Sequence, residues 1–285
     1  MRSGNKIAIT VLGSALALGT AFSGTALAGR GGSPEKISSA IRANSVDAIQ
    51  AELERAEHLV CAGCTDMVLP LIDHSDAKVR QVAAWWLVRR ATSRRVYVDM
   101  LTRLSQPDSL RARNAADILG EFKYDASIPA LSAALSNPIY TGEARAAMAR
   151  ALGSIGRKAA AAPLTAALTD SNPLVKAASL DALRSVEGFH DGMVAVPLLK
   201  DADSQVRAEA AVTVGMMRTS QGAEALVSAL TSDPSALVRK KAAWSLGEIG
   251  APASVAGPAL QQAAANDASP FVRSLARASI SRLSH

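Results

Sequence analysis

The chain has 285 residues; 49% are hydrophobic, only 4% are aromatic, and 20% are charged, with a formal net charge of +6. So few rings exclude a core built on aromatic packing, and the interspersed charges exclude a disordered, tail-like chain. Alanine dominates the apolar residues, so helices packed at close range are expected.

Residues 1–28 read as a secretory signal peptide. Arg2 and Lys6 supply the positive start, residues 7–22 are apolar and uncharged, and Ala26 and Ala28 are the small residues before a cleavage site. The alternative is an uncleaved anchor, but the apolar run is short for a membrane span and its residues are weakly apolar. No cysteine follows the run and no arginine pair precedes it, which argues against a lipid anchor and a twin-arginine route. Cleavage after Ala28 removes 28 of the 285 residues and two positive charges, leaving 257 residues of charge +4. The expected product is periplasmic or secreted, without stable membrane insertion. Its charge is too diffuse to point to nucleic acid. Residues 29–33 read as a flexible new N-terminus. Residues 34–60 read as two helices, with Ser45 as an N-cap, covering the open N-terminal end of a helical stack.

From residue 61 the chain repeats itself. The segments KVRQVAAWWLV, SLRARNAADILGEF, GEARAAMARALGSIG, PLVKAASLDALRSV, SQVRAEAAVTVGMM, ALVRKKAAWSLGEIG and PFVRSLARASISRL are seven copies of one pattern. Their first apolar positions are Val79, Arg111, Ala144, Val175, Val206, Val238 and Val272, spaced by 31 to 34 residues; Arg111 alone breaks the apolar rule. The next position is Arg80, Ala112, Arg145, Lys176, Arg207, Arg239 and Arg273. Apolar residues at offsets 0, 4 and 8 share one face of a helix. A second apolar stretch precedes each copy, with Pro70, Pro129, Pro163 and Pro197 near the start of theirs. Asn172, Asp233 and Ser269 each stand before a proline as expected N-caps, and Gly156 and Gly250 as left-handed helix ends. The unit is helix, turn, helix.

This pattern resembles the HEAT-repeat family, and more closely its short bacterial form, which includes the repeats of phycobilin lyases. The matching features are an acidic turn before V-R, an A-A-x-x-L helix and a late glycine, over residues 61–284. Tetratricopeptide repeats have a similar period, but their ring positions are absent. The resemblance implies an all-α, right-handed solenoid of about seven helix-turn-helix repeats over residues 61–285. It also implies a ladder between turn acids and helix bases, with Asp76, Asp170, Asp201, Asp233 and Asp267 facing Arg80, Lys176, Arg207, Arg239 and Arg273. At the far end, Arg277 and Ser281 replace the usual alanine and glycine, which suits a capping repeat.

No complete catalytic set is visible, so no enzymatic activity and no cofactor are expected. Cys61 and Cys64 lie three apart, and an exported chain favours a structural disulfide. Two other readings stay open: a redox-active pair, and a zinc site with His58 and His74. Thr65 follows the pair where covalent haem needs histidine. Deoxyhypusine hydroxylase, a HEAT-like metalloenzyme, uses His-Glu pairs, and this chain has no His-Glu dipeptide. In HEAT solenoids the second helices line the concave side. With offsets 0, 4 and 8 in the core, offset 6 points away from it, at Trp85, Asp117, Arg150, Asp181, Val212 and Trp244. Neighbouring positions add Gln81, Arg89, Arg113, Glu121, Lys240 and Glu248. The expected function is a monomeric, non-enzymatic scaffold that holds a protein partner on this face, with the tryptophans as anchors. Packing of both tryptophans between helices is the competing reading. The alternative function is an enzyme or enzyme chaperone, lyase-like or acting on thiols at Cys61 and Cys64.

Overall fold

The structure is a computed structural model that describes residues 32–61, 63–90 and 93–283. The signal-peptide assignment to residues 1–28 lies outside the described residues, and so does most of 29–33. The end of that stretch belongs to the fold: Gly32 is buried against Ala56, and the Ser33 hydroxyl accepts from the Lys36 N–H at the first helix. No helix among the described residues is long and apolar enough to cross a membrane.

The described residues form helices and turns with no strand. Two helices, α1 (Pro34–Arg42) and α2 (Val46–Arg55), come first. Ser45 caps α2 as expected, by accepting from the Ala48 N–H. Seven second helices come after them: α4 (Ala77–Val88), α6 (Ser109–Phe122), α8 (Gly142–Ile155), α10 (Pro173–Leu183), α11 (Ser204–Met216), α13 (Ala236–Glu248) and α15 (Pro270–Leu283). Each packs on the next in a single row. Helix α2 packs on α4, where the second helix of a preceding copy would stand.

The first helices are shorter and less regular. They are α3 (Cys64–Val68) with a 3-10 turn at Leu69–Asp73, α5 (Ser93–Leu104), α7 (Ile128–Leu135), and α9 (Ala161–Ala166) with a 3-10 turn at Ala167–Thr169. A wholly 3-10 stretch at Gly192–Lys200, α12 (Ala223–Ser232) and α14 (Ala253–Asn266) complete the set. Pro129 opens α7 as expected, whereas Pro197 lies inside the 3-10 stretch, where a missing N–H and a fixed φ disfavour a regular α-helix. Asn172 caps α10 ahead of Pro173, but Asp233 does not cap α13; Ser235 takes that place. Gly156 ends α8 in the left-handed conformation at φ 70°.

The core matches the repeat columns. Val79, Ala144, Val175, Val206, Val238 and Val272 are all fully or almost fully buried. In the second copy Arg111 is exposed and Ala112 is buried in its stead. Successive second helices meet through small residues. The late glycines Gly120, Gly153, Gly215 and Gly247 lie against Ala151, Ala182, Ser245 and Ser279 of the following copy. A methyl group on Gly153 would sit 2.7 Å from the Ala182 Cα, so only glycine permits that approach. Ser245 and Ser279 also donate to the carbonyls of Ala211 and Ala243 at 2.7 Å, leaving no buried hydroxyl unmet at these two contacts.

The ladder exists with a different pairing from the one expected. From Arg145 to Arg239 each base reaches the turn acid of the next copy, not of its own, while among the described residues Arg80 and Arg273 bond only carbonyls of their own turns. Arg145 pairs with Asp170 at 3.0 Å, Lys176 with Asp201, Arg207 with Asp233 and Arg239 with Asp267. The two last are two-pronged, with Arg207 bonded at 2.6 and 3.1 Å and Arg239 at 2.8 and 3.0 Å. The base's remaining nitrogen bonds backwards into its own turn, as Arg207 does to the carbonyls of Asp201 and Ala202. Asp76 is not a rung. It caps α4 through the Lys78 N–H, and His74 holds the rung position six residues before the base. Gln106 and Ile139 hold that position in the next two copies, so the ladder starts only at Arg145. There the Tyr140 hydroxyl tethers the turns instead, donating to the Leu104 carbonyl at 2.7 Å.

Candidate functional site

The face of the second helices that points away from the first helices carries three hollows. The middle one, of about 580 Å³, runs across α4, α6, α8, α10 and α11. It takes in Gln81, Arg113, Asp117, Arg150 and Asp181 from the expected set, together with Arg80. The hollow at the cap end, of about 790 Å³, is lined by Gln81, Trp85 and Glu121, together with Glu54, Glu57 and Lys78. The hollow at the far end, of about 420 Å³, is lined by Lys240, Trp244 and Val212, together with Lys241 and Phe271. All three draw from offsets −1, 2, 3 and 6 of the repeat, so they lie along one side of the row. Helix α11 contributes to both the middle and the far hollow.

Two residues of the expected set are engaged within the chain and line none of the three. The Arg89 guanidinium stacks over the Trp85 ring at 4.6 Å and donates to the Trp85 carbonyl at 2.8 Å. Glu248 pairs with Arg282 of the last helix. Trp85 and Trp244 are half-buried and each faces a hollow, Trp85 also resting on the core, so neither the fully exposed nor the fully packed reading describes them. Trp86 is a core residue, 1% exposed; its indole N–H donates to the Ala56 carbonyl at 3.2 Å, and Arg90 covers its ring at 3.7 Å.

Reasoning from offset 6 missed the column at offset −1. Leu174 and Phe271 stand there, 51% and 71% exposed, and both line hollows. The signal was present in the sequence, as large apolar residues immediately before the buried anchor, where Lys78, Glu143 and Gln205 stand in three other copies; Leu110 and Leu237 share the apolar character without lining a hollow.

The middle hollow is electrostatically crowded. Asp117 is half-buried among Arg80, Arg113 and Arg150. Its desolvation is the largest influence and pushes its carboxyl above the ordinary range, against the pull of the three arginines. Arg80 is shifted down by desolvation and by its neighbour Arg113, and its Nε is buried without a bonding partner. The other charges offset one another: Arg113 faces Glu143 at 3.8 Å, and Arg184 holds both Asp181 and Glu209. No nucleophile with a partnered base lines the hollow.

Cys61 and Cys64 are joined in a disulfide, with Cys64 fully buried. The thiolates of a zinc site are therefore not available. The two histidines are used elsewhere: His58 is almost wholly exposed beside Glu57, and His74 bonds Asn44 at 2.9 Å. Among the described residues no three metal-binding side chains gather in one place.

A family model described as HEAT repeats matches residues 96–184 and 193–281. Among solved structures, the Escherichia coli protein YibA superposes with a TM-score of 0.57 at 18% identity, covering 82% of this chain and 95% of that one. An importin beta superposes with a TM-score of 0.55 at 14% identity, covering 89% of this chain and 40% of that one. The CpcE–CpcF phycocyanin lyase complex of Nostoc is more distant, with a TM-score of 0.43 at 24% identity over 77% of this chain and 94% of that one. No curated protein matches the sequence. With its repeated helix pairs, its small-residue contacts between second helices and a family match over more than half its length, the chain belongs to the HEAT-repeat family.

Proposed function

We propose that this protein is an exported, non-enzymatic scaffold that holds a protein partner along the grooved face of its second helices. The observation that carries the reading is the placement of the hollows. They succeed one another along a single side of the row and gather Trp85, Trp244, Phe271 and unpaired charge there. Half-buried rings set among charged side chains are the usual anchors of protein interfaces. The residues lining the hollows offer binding chemistry: arginines, carboxylates and rings, without a base poised on a nucleophile. The bonded Cys61–Cys64 pair, with one sulfur buried, favours a structural role over thiol exchange. Export rests on the pattern of residues 1–28.

Affinity capture from the native envelope fraction tests the reading, with the processed protein as bait and a Trp85→Ala/Trp244→Ala variant, verified as folded by circular dichroism, as control. The expected result is a bait that begins at Gly29 and a partner held by the wild type and lost by the variant. A partner retained equally by both would move the site away from the grooved face.

A further inference from the structure

The two ends of the grooved face carry opposite charge. At the cap end Trp85 is surrounded by Glu54, Glu57 and Glu121, with Lys78 as the cation lining the same hollow; Glu57 is paired with Arg89 at 3.7 Å, so Glu54 and Glu121 carry the open negative charge. The Arg89 guanidinium already rests on that ring at 4.6 Å, so the ring's surroundings suit a cation. At the far end the charged residues lining the Trp244 hollow are Lys240 and Lys241, with no acid among the lining residues. Neither lysine is in an ion pair among the described residues. Between them the middle hollow holds bases and acids that largely offset one another. The face is therefore acidic at one end, balanced in the middle and basic at the other, with a tryptophan at each pole.

We propose that the grooved face binds one extended segment of a partner protein in a single direction, with cationic side chains at Trp85 and carboxylates at Trp244. This deepens the scaffold reading and rests on it. Charge complementarity sets the orientation, because the reversed segment would place like charges together at both ends. Phe271, exposed beside Trp244, adds an apolar surface, so the acidic end of the segment carries an apolar residue next to its carboxylates. The spacing sets the length. Trp85 lies in the first copy and Trp244 in the sixth, five helix spacings apart; at about 8–10 Å each the poles are about 40–50 Å apart. An extended chain covers that span with about 12–15 residues at about 3.3 Å each. Two lysines are too few for an anionic polymer to be the better occupant, and such a ligand has no use for the acidic end.

The test is fluorescence anisotropy of the full chain with labelled synthetic peptides of 14 residues. One has the order Lys-Arg-Leu, a Gly/Ser spacer and Leu-Asp-Glu; a second has the reverse order; a third is acidic at both ends. At low salt each bipolar peptide, free to lay its cationic end at Trp85 whatever its backbone sense, should bind about tenfold tighter than the doubly acidic peptide. Glu54→Gln/Glu121→Gln and Lys240→Gln/Lys241→Gln should each weaken the bipolar peptides by about tenfold, and high salt should erase the preference. Equal binding of the bipolar and doubly acidic peptides, indifference to the end substitutions, or no binding of either bipolar peptide would overturn the proposal. Should this happen while the captured partner is still lost with Trp85→Ala/Trp244→Ala, the scaffold reading stands and only the polarity falls. Should the partner bind that variant unimpaired, the scaffold reading falls as well.

Discussion

Arg207 serves two copies at once. Its forked nitrogens hold Asp233 of the next turn, and its third holds two carbonyls of its own. Both charged groups are mostly withdrawn from water, at 13% and 6% exposure, so removing one strands the other. Asp233 also accepts the Ser235 N–H ahead of α13. Asp233→Ala should therefore cost about 3 kcal/mol in denaturant unfolding. Glu143→Gln breaks a pair 3.8 Å long and largely solvated, and should cost less than about 1 kcal/mol.

The same rungs make stability depend on pH. The Arg239 bond is the largest influence on Asp267 and holds its carboxyl below the ordinary range. Burial alone would raise Asp201 and Asp233, but the bonds from Lys176 and Arg207, with backbone N–H donors, outweigh it and lower both. Groups lowered in the folded state contribute stability above their unfolded value of about 3.9 and lose it as pH falls through the folded value. Asp117 is raised, so its contribution has the opposite sign: it is present at acid pH and lost as pH rises through its folded value. With the three rung aspartates and the exposed Glu35 lowered against Asp117 raised, thermal stability should fall on acidification below about pH 4. Asp267→Asn should be less stable at neutral pH and show a shallower acid loss. A variant with the same acid slope as wild type would refute the linkage.

At the scale of the helix, contact between neighbours depends on what is missing from the side chains. Gly153 and Ala182 let α8 and α10 meet almost backbone to backbone. Gly153→Ala improves the local helix preference by about 1 kcal/mol, yet the new methyl meets the Ala182 Cα and Cβ at 2.7 Å. Neither atom can rotate away, so the helices must part, and net destabilisation of about 1–3 kcal/mol is expected in thermal melts. Much of this level was legible in the sequence, because the valine anchors and late glycines recur at a fixed period. The direction of the rungs was not. An aspartate six residues before its base looks like that base's own partner, and only the stacking of copies brings it to the preceding one. His74 was illegible for a related reason. Its Nδ1 accepts the Asp76 N–H at 3.0 Å, the task that Asp201 performs for the Asp203 N–H in a later copy, so an unlike residue type fills the same place. The candidate face was legible at offset 6, from helical geometry alone. Phe271 and Leu174 were not found, because an apolar residue beside a buried anchor looks like more core until the helix is rotated into its row.

Across the whole molecule, stability and surface are divided along the stack. The regular ladder from Arg145 to Asp267 supports the later copies. The first three turns use Tyr140, His74 and the Asp73 contacts to Arg103 and Asn114 instead. The hollows span both regions, from Gln50 ahead of the first copy to Leu275 in the last. A partner lying along them would touch every second helix while leaving the first helices in solvent. Oxidative side-chain footprinting of the captured complex measures this most directly. Trp85, Trp244 and Phe271 should become protected when the partner is bound. Met193 and Tyr124, exposed outside the hollows, should react as in the free protein. Protection of Met193 and Tyr124 with the tryptophans unchanged would contradict docking on the grooved face and place the partner on the other side of the solenoid.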